Sequence, residues 1–446
     1  MMQDTIVDAE DISSQEKVME APPESSDLQE ATINTNSIID SHPSNELAQQ
    51  TEKLSCDDKP ALSEVETPTS SNDANDSNST PVQESATIVS TDFSQTSINA
   101  NLGDKEAQVA LGDMYLDGEG VQQDYQAAME WFLRAADQGY AIGQRRVGYM
   151  YHYGLGVTQD YQAALTWNLK AADQGDAGAQ CNAGHLYRRD RGTTQDFSKA
   201  MELYLLSANQ GYAKAQNQIG TMYNDGLGVP QDYSRAFGWY NKAAVQDDQD
   251  AQCNLGCLYR NGKGVAQSFS KAMEWFIKSA EQGHAEAQAN VGYLYRDGKG
   301  VTQDYSKARE WFVKAAEQGN AYSQHRLGCL YHDGQGVEQD YVQAMTWYRK
   351  AADQDYMEAQ YNAGLMYKDG HGVPIDYSQA SVWLLKAANQ GHEEAQYIVG
   401  RLYEYGDGVP QDVTTAMGWY LKAAKQCSWE ARTRLACLHQ QGSYFY

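Results

Sequence analysis

The sequence predicts an all-α solenoid, and three observations predict it. A 36-residue segment is rewritten nine times between Asp104 and Cys427, as in EAQVALGDMYLDGEGVQQDYQAAMEWFLRAADQG and, six repeats later, SQHRLGCLYHDGQGVEQDYVQAMTWYRKAADQD. A fixed period of this size marks a stack of small units that each bury a face against the next. The spacing is strict: Gly112, Gly148, Gly184, Gly220, Gly256, Gly292, Gly328, Gly364 and Gly400 follow one another at 36 without insertion. Within each unit, apolar residues recur at helical spacing on both sides of a glycine-bearing turn, so the unit is a helix hairpin.

In the first unit Ala107, Leu111, Met114 and Tyr115 mark a first helix from about Lys105 to Asp117. Gly118 and Gly120 end it, because glycine adopts the left-handed conformation that other residues enter only at a cost. Asp124 is placed to cap a second helix, whose stripe Tyr125, Ala128, Trp131, Phe132 and Ala135 runs to Gly139. Trp131, Trp167, Trp239, Trp275, Trp311, Trp347, Trp383 and Trp419 share one phase, which makes them packing units and predicts core rather than a ligand box. Repeat three departs from the pattern: RRDRGTTQDF puts Asp190 at the first loop-glycine phase, and Leu203 replaces tryptophan, so a weaker seam is expected there. SWEARTRLACLHQQG closes the array as a tenth first helix, with Ala436 at the glycine phase and polar Arg432 and Arg434, as a terminal cap requires.

Composition divides the chain near residue 100. Residues 1–100 hold 20 Asp or Glu against three Lys, a net charge of -17 (3 minus 20) out of -26, with Phe93 the one aromatic and no Gly or Arg. Such a segment buries too little apolar surface to offset its conformational entropy and is predicted to be disordered. The predicted domains are thus a disordered acidic tail at 1–100 and a solenoid at 101–442. The repeats are 104–139, 140–175, 176–211, 212–247, 248–283, 284–319, 320–355, 356–391 and 392–427, with a partial unit at 428–442.

Strong acidity argues against nucleic-acid or anionic-membrane binding, which reward clustered Lys and Arg. No apolar run is long enough for a membrane span, and the start MMQDTIVDAE has no basic n-region or apolar h-region, so a cytoplasmic or nuclear protein is expected. The sequons at Asn75 and Asn78 then carry little meaning. Seven cysteines make an odd number. Cys181 and Cys253 share one phase and Cys257, Cys329 and Cys437 another, which suits small buried hydrophobes. A Cys253–Cys257 disulfide is the sharper alternative; zinc lacks paired CxxC motifs or clustered His.

The pattern AxAQxxLGxMYxxGxGVxQDYxxAxxWxxKAAxQG resembles the Sel-one-like repeat family, a relative of the tetratricopeptide repeat. The resemblance implies a right-handed α/α superhelix whose first helices line a concave face, and adaptor work in larger complexes, in settings such as membrane-protein quality control, cell-wall synthesis control or host-microbe contact. Absence of an evident signal peptide or anchor counts against the lumenal quality-control branch. Some relatives are linked to β-lactam chemistry, which gives a hydrolase alternative.

The residues offer that alternative little. Ser268-Phe269-Ser270-Lys271 reads as SxxK, but SDN and KTG are missing and Ser268 takes the N-cap phase. The GxG pairs have no preceding strand and no following GK[ST], so they are capping turns. The DG dipeptides lack the spaced ligands of a calcium loop. No catalytic set, cofactor or metal site is predicted.

The variable face of the first helix is more informative. The phase of Leu116 reads Leu116, His152, Arg188, Asn224, Arg260, Arg296, His332, Lys368, Glu404, a basic ladder inside an acidic protein. The phase of Ala110 supplies Arg146, Asn182, Asn254, Asn290, Arg326 and Asn362; a third phase supplies Tyr149, His185 and Tyr293. Together they suggest a groove for an extended, acidic or carboxylate-bearing segment. The plainer alternative is a solvated face whose cations pair with Asp297, Asp333 and Asp369. The expectation is a non-catalytic scaffold or adaptor with a protein or peptide partner, with a hydrolase or a purely structural spacer as alternatives. A further expectation is that the acidic tail competes for the ladder, with Thr67-Pro68 and Thr80-Pro81 as phosphorylation points.

Overall fold

The structure, a computed structural model, describes residues 93–442. These all lie in one compact unit, and residues 1–92 are outside the described residues. Outside them too are the predicted disorder and charge competition of 1–92, both Thr-Pro sites and both sequons.

Twenty helices and no strand occur among the described residues. A short α1 (Phe93–Asn101) precedes nine hairpins. They are α2 (Lys105–Asp117) with α3 (Tyr125–Asp137), α4 (Ala141–Tyr153) with α5 (Tyr161–Ala172), and α6 (Ala177–Arg188) with α7 (Phe197–Asn209). Next come α8 (Ala213–Asp225) with α9 (Tyr233–Ala244), α10 (Gln249–Asn261) with α11 (Phe269–Glu281), and α12 (Ala285–Asp297) with α13 (Tyr305–Glu317). Then follow α14 (Ala321–Asp333) with α15 (Tyr341–Ala352), α16 (Met357–Asp369) with α17 (Tyr377–Gln390), α18 (Glu393–Tyr405) with α19 (Val413–Lys425), and finally α20 (Trp429–Gly442). Each helix packs on the one before and the one after it, which is the α-solenoid the period predicts.

The caps follow the residue chemistry. Asp124 accepts hydrogen bonds from the backbone N–H groups of Gln126 and Ala127 at 3.0 Å, satisfying donors that a helix start leaves orphaned. Gly118 ends α2 at φ 75° and returns its N–H to the Met114 carbonyl. The second loop glycine has a steric duty as well: a Cβ on Gly264, at φ +69°, would meet the backbone of Tyr233 in the preceding repeat at 2.4 Å. The loops are therefore joints between repeats as well as helix stops.

The predicted tryptophan core is corrected by one position. Seven of the eight repeat tryptophans are half-buried and only Trp383 is buried. The fully buried phase is the next residue, with Phe132, Tyr204, Phe276, Phe312 and Tyr420 at 0% exposure. These rings lie on the strict glycines of the facing first helix: a Cβ on Gly112 would stand 2.5 Å from Phe132, and one on Gly292 2.7 Å from Phe312. The glycine phase thus serves the seam inside a hairpin. The tryptophans bridge hairpins from the outside, Trp167 packing on the cluster around Phe132 and Trp347 on that around Phe312. Each carries a cation three residues on, at 3.6–4.3 Å from its ring centroid. Such a stack covers the exposed face of the indole and contributes about 0.5–1 kcal/mol.

A polar ladder runs through the stack. Gln138 donates to Gln108 Oε1, and eight further pairs thirty residues apart do the same, all at 2.8–3.0 Å. The acceptor glutamines are buried, and each donates in turn to a carbonyl of the preceding second helix at 3.1–3.4 Å, as Gln252 does to Ala244. Removing one member would strand a buried acceptor at a cost of about 1–3 kcal/mol.

Both ends of the ladder are capped. Residues 93–100, assigned from composition to the tail, instead form α1, whose Ala100 carbonyl accepts from Gln108 as a second helix would. At the other end Arg432 donates from Nε and Nη2 to the Ala424 carbonyl at 3.2 Å, the bond a glutamine makes elsewhere. Having no acceptor, arginine passes nothing on. Arg434 forms a two-pronged bridge to the buried carboxylate of Glu404, which also accepts from Tyr420 Oη at 2.7 Å.

Repeat three is irregular as expected. Asp190 stands at φ 56°, and Leu203 and Leu206 replace the tryptophan-cation stack, leaving Leu206 48% exposed. All cysteines among the described residues are free, so the Cys253–Cys257 bridge is not formed; Cys181 and Cys253 are buried, Cys257, Cys329 and Cys437 half-buried, and Cys427 exposed.

Candidate functional site

The fourteen predicted residues all lie on first helices, and none is fully exposed. They face neighbouring first helices closely enough to bond across repeats. Arg146 pairs with Asp113 at 3.1 Å. Asn254 donates to Asn217 at 3.0 Å, and Asn362 Nδ2 lies 3.0 Å from His325 Nε2. Arg260 bonds to Asn290, which is buried and gives its amide to the Glu286 carbonyl at 2.9 Å. Asn254, Asn290 and Asn362, read from the sequence as donors for a partner, are thus engaged within the stack. Arg326 lies over the Tyr322 ring, 5.0 Å from its centroid. Asn182 is half-buried.

The C-terminal part of the basic ladder is neutralised by its own helices. Arg296 Nε meets Asp297 at 2.6 Å, and Lys299 reaches the same carboxylate at 3.2 Å and stacks on Tyr293. Burial opposes ionisation of Asp297, yet the Arg296 and Lys299 bonds and charges hold its carboxyl below the usual range. His332 pairs with Asp333 at 2.6 Å, and Lys368 with Asp369 at 2.5 Å. For these residues the plainer alternative, self-paired cations, is the observed geometry. Nearby, Tyr361, Lys368, Tyr377, Glu394 and Arg401 line a cleft of about 390 Å³ of mixed charge.

Repeats two and three differ. Where Asp297 follows Arg296, the same phase in repeat three is Arg189 following Arg188, with Arg191 two residues on. Arg188 is buried and Arg189 and Arg191 half-buried. His185 and His152 sit in their field. Burial first, then Arg188, Arg189, His152 and Arg191, lowers His185 to about 3. Burial, then Arg191 and Arg189, lowers His152 to about 4. Both imidazoles are therefore neutral at pH 7, chiefly because they are buried, and the neighbouring guanidinium charges act in the same direction.

Aromatic rings frame this cluster. His152 lies 5.2 Å from the Tyr161 ring and 4.7 Å from Tyr153, which packs on Tyr149, also at 4.7 Å. The Arg191 guanidinium stands 5.1 Å from the Tyr161 centroid. Beside it Tyr151, Asp160, Tyr161 and Gly192 line a cleft of about 650 Å³. Arg189 and Arg191 were absent from the sequence-derived site because they fall outside its three phases. The signal was there, in the run RRDR at the one repeat that lacks its loop glycine.

Ser268 and Lys271 form no catalytic pair. The Ser268 hydroxyl accepts from the Lys271 backbone N–H at 3.3 Å as a helix cap, and the Lys271 ammonium lies 5.4 Å from the Tyr259 centroid.

Nine consecutive segments match the Sel1 repeat: 105–140, 141–176, 177–212, 213–248, 249–284, 285–320, 321–356, 358–392 and 393–426. Among solved structures, the chain is similar to c5321, a protective antigen of uropathogenic Escherichia coli with an SLR fold (31% identity, 78% of this chain, 91% of that one, TM-score 0.45). It is also similar to a Sel1 repeat protein from Oxalobacter formigenes (31% identity, 55% of this chain, 96% of that one, TM-score 0.50). No curated protein sequence matches.

Proposed function

The chain belongs to the Sel1 repeat family, and on that premise we propose that it is a non-catalytic scaffold that holds an extended, carboxylate-bearing segment of a protein partner against the first helices of repeats two and three. The observation that carries this reading is the cluster of Arg188, Arg189 and Arg191 around two neutral histidines in an acidic protein. Guanidinium groups bind carboxylates in forked pairs, and partial burial strengthens each pair relative to water. Tyr149, Tyr153 and Tyr161 add flat rings for contact with an extended backbone. The surrounding negative charge favours partners whose acidic residues are few and locally placed.

The self-paired side chains of Arg296, His332 and Lys368 then serve stability and solubility. Ser268, engaged as a cap, lends the hydrolase alternative no support.

The test is fluorescence anisotropy of the full chain with a labelled Asp- and Glu-containing peptide bearing a free C-terminal carboxylate. Arg189→Glu/Arg191→Glu is expected to weaken binding by about a hundredfold, as loss of paired charges at an interface does. Arg296→Glu/Lys368→Glu is expected to change it less than about threefold, since exposed pairs contribute little. Equal loss in both variants would spread the site over the whole ladder, and no binding by any form would favour the spacer reading.

A further inference from the structure

Two cysteine phases of the first helix coincide in one repeat. Cys253 and Cys257 lie one turn apart on α10, and Glu286 reaches toward them from the first turn of α12 in the next repeat. Their two Sγ atoms and a carboxylate oxygen all lie within 4.8 Å of one another, the one such group of three ligating side chains among the described residues. Cys253 is fully buried and the other two are half-buried, so the group opens to the first-helix face at Cys257 and Glu286.

The chemistry of the three donors is complementary. A tetrahedral zinc ion takes sulfur at about 2.3 Å and carboxylate oxygen at about 2.0–2.2 Å, which requires donor atoms about 3.5–3.8 Å apart. A contraction of about 1 Å from the observed limit supplies that, within the reach of a glutamate rotamer. Three groups that become anionic on losing a proton repel one another in a half-buried site, and a divalent cation reverses the sign of that interaction.

Repeat seven provides an internal contrast. The same three phases hold His325, Cys329 and Glu358; His325 Nε2 lies 3.6 Å from Cys329 Sγ and 3.0 Å from Asn362 Nδ2, but Glu358 does not join them.

We propose that Cys253, Cys257 and Glu286 form a binding site for a thiophilic divalent cation of the zinc class, two thiolates and a carboxylate as ligands. Binding releases the two thiol protons to solvent and involves no change of oxidation state. With three protein ligands, a fourth position stays open to water or to a side chain of a bound partner.

The test uses the full chain, reduced and stripped of metal, titrated with cadmium and then with zinc against a chromophoric chelator. The expected result is a thiolate-to-cadmium charge-transfer band that saturates at one equivalent. Cys257→Ser and Cys253→Ala should each weaken binding by more than about a hundredfold and Glu286→Gln by about tenfold, since even residues that only support ligands alter metal affinity ten- to hundredfold. Alanine is suited to the Cys253 phase, where Ala289 is buried one repeat later, and circular dichroism confirms that each variant is folded. Cys329→Ser should bind as the wild type does. An equal band in Cys257→Ser, an affinity indifferent to Glu286→Gln, or a reduced protein that takes up no cation and closes the pair as a disulfide in air would each overturn the proposal.

Discussion

Repeats three and six use the same scaffold to opposite electrostatic ends. In repeat six, Asp297 follows Arg296 and neutralises it together with Lys299, Gly298 turns the chain, and Lys314 covers Trp311. In repeat three, Arg189 follows Arg188, Asp190 turns the chain at φ 56°, and leucines replace the indole and its cation. On the proposed function, the difference places stability and recognition in different phases of one period. Repeat six satisfies its local rules throughout. Repeat three breaks several of them together, beside the cluster of positive charge, as functional sites commonly do.

The comparison breaks most visibly at the seam. Phe312→Ala removes a fully buried ring and is expected to cost about 3–5 kcal/mol, whereas Leu203→Ala, at a half-buried outer position, should cost under about 2 kcal/mol. Urea denaturation followed by circular dichroism checks both. If the two losses were equal, the buried phase would not be the one that holds the hairpins closed.

Exchanging the turn residues gives a smaller effect of opposite signs. Asp190→Gly should stabilise by about 0.5–1 kcal/mol by relieving a left-handed aspartate, and Gly298→Asp should destabilise by a similar amount. The measurement is the shift in urea midpoint for each variant.

A further test is the pH dependence of stability. The folded pKa values of His185 and His152 lie near 3 and 4, below the ordinary 6.5. Above pH 6.5 both states hold them neutral. As pH falls below it, the unfolded chain takes up protons that the fold refuses, so stability is lost progressively down to the folded values. His185→Gln should flatten the slope of urea midpoint against pH between 6.5 and 4, and an unchanged slope would remove His185 from the positive field.

Much of the fold is legible in the sequence because its determinants are local. Asp124 caps, Gly118 turns and Lys105 to Asp117 spans a helix with the predicted ends, each decided by residues within one turn. What escapes depends on a neighbour 30 or more residues away. Trp131 and Phe132 are adjacent apolar residues, and only the facing glycine decides which one is buried. The glutamine ladder looks like polar surface until the next repeat supplies its partner. Helix α1 was hidden by the acidic composition of the segment before it, although Ala100 and Gly103 stand 36 residues before Ala136 and Gly139. For the site, the ladder and its competing aspartates were both readable, and so was their pairing in repeats six to eight. Repeat three instead carries Arg189, a residue outside the three phases considered, where repeats six to eight carry that aspartate.

The central claim is that the residue after the ladder cation decides whether a repeat binds acidic partners or neutralises itself. The most direct measurement is peptide affinity of the reciprocal pair Arg189→Asp and Asp297→Arg in the full chain, at low and high salt. The account predicts that Arg189→Asp weakens binding by at least about tenfold and flattens its salt dependence, while Asp297→Arg strengthens both. Affinity unchanged in both variants, or weakened equally by both, would contradict it.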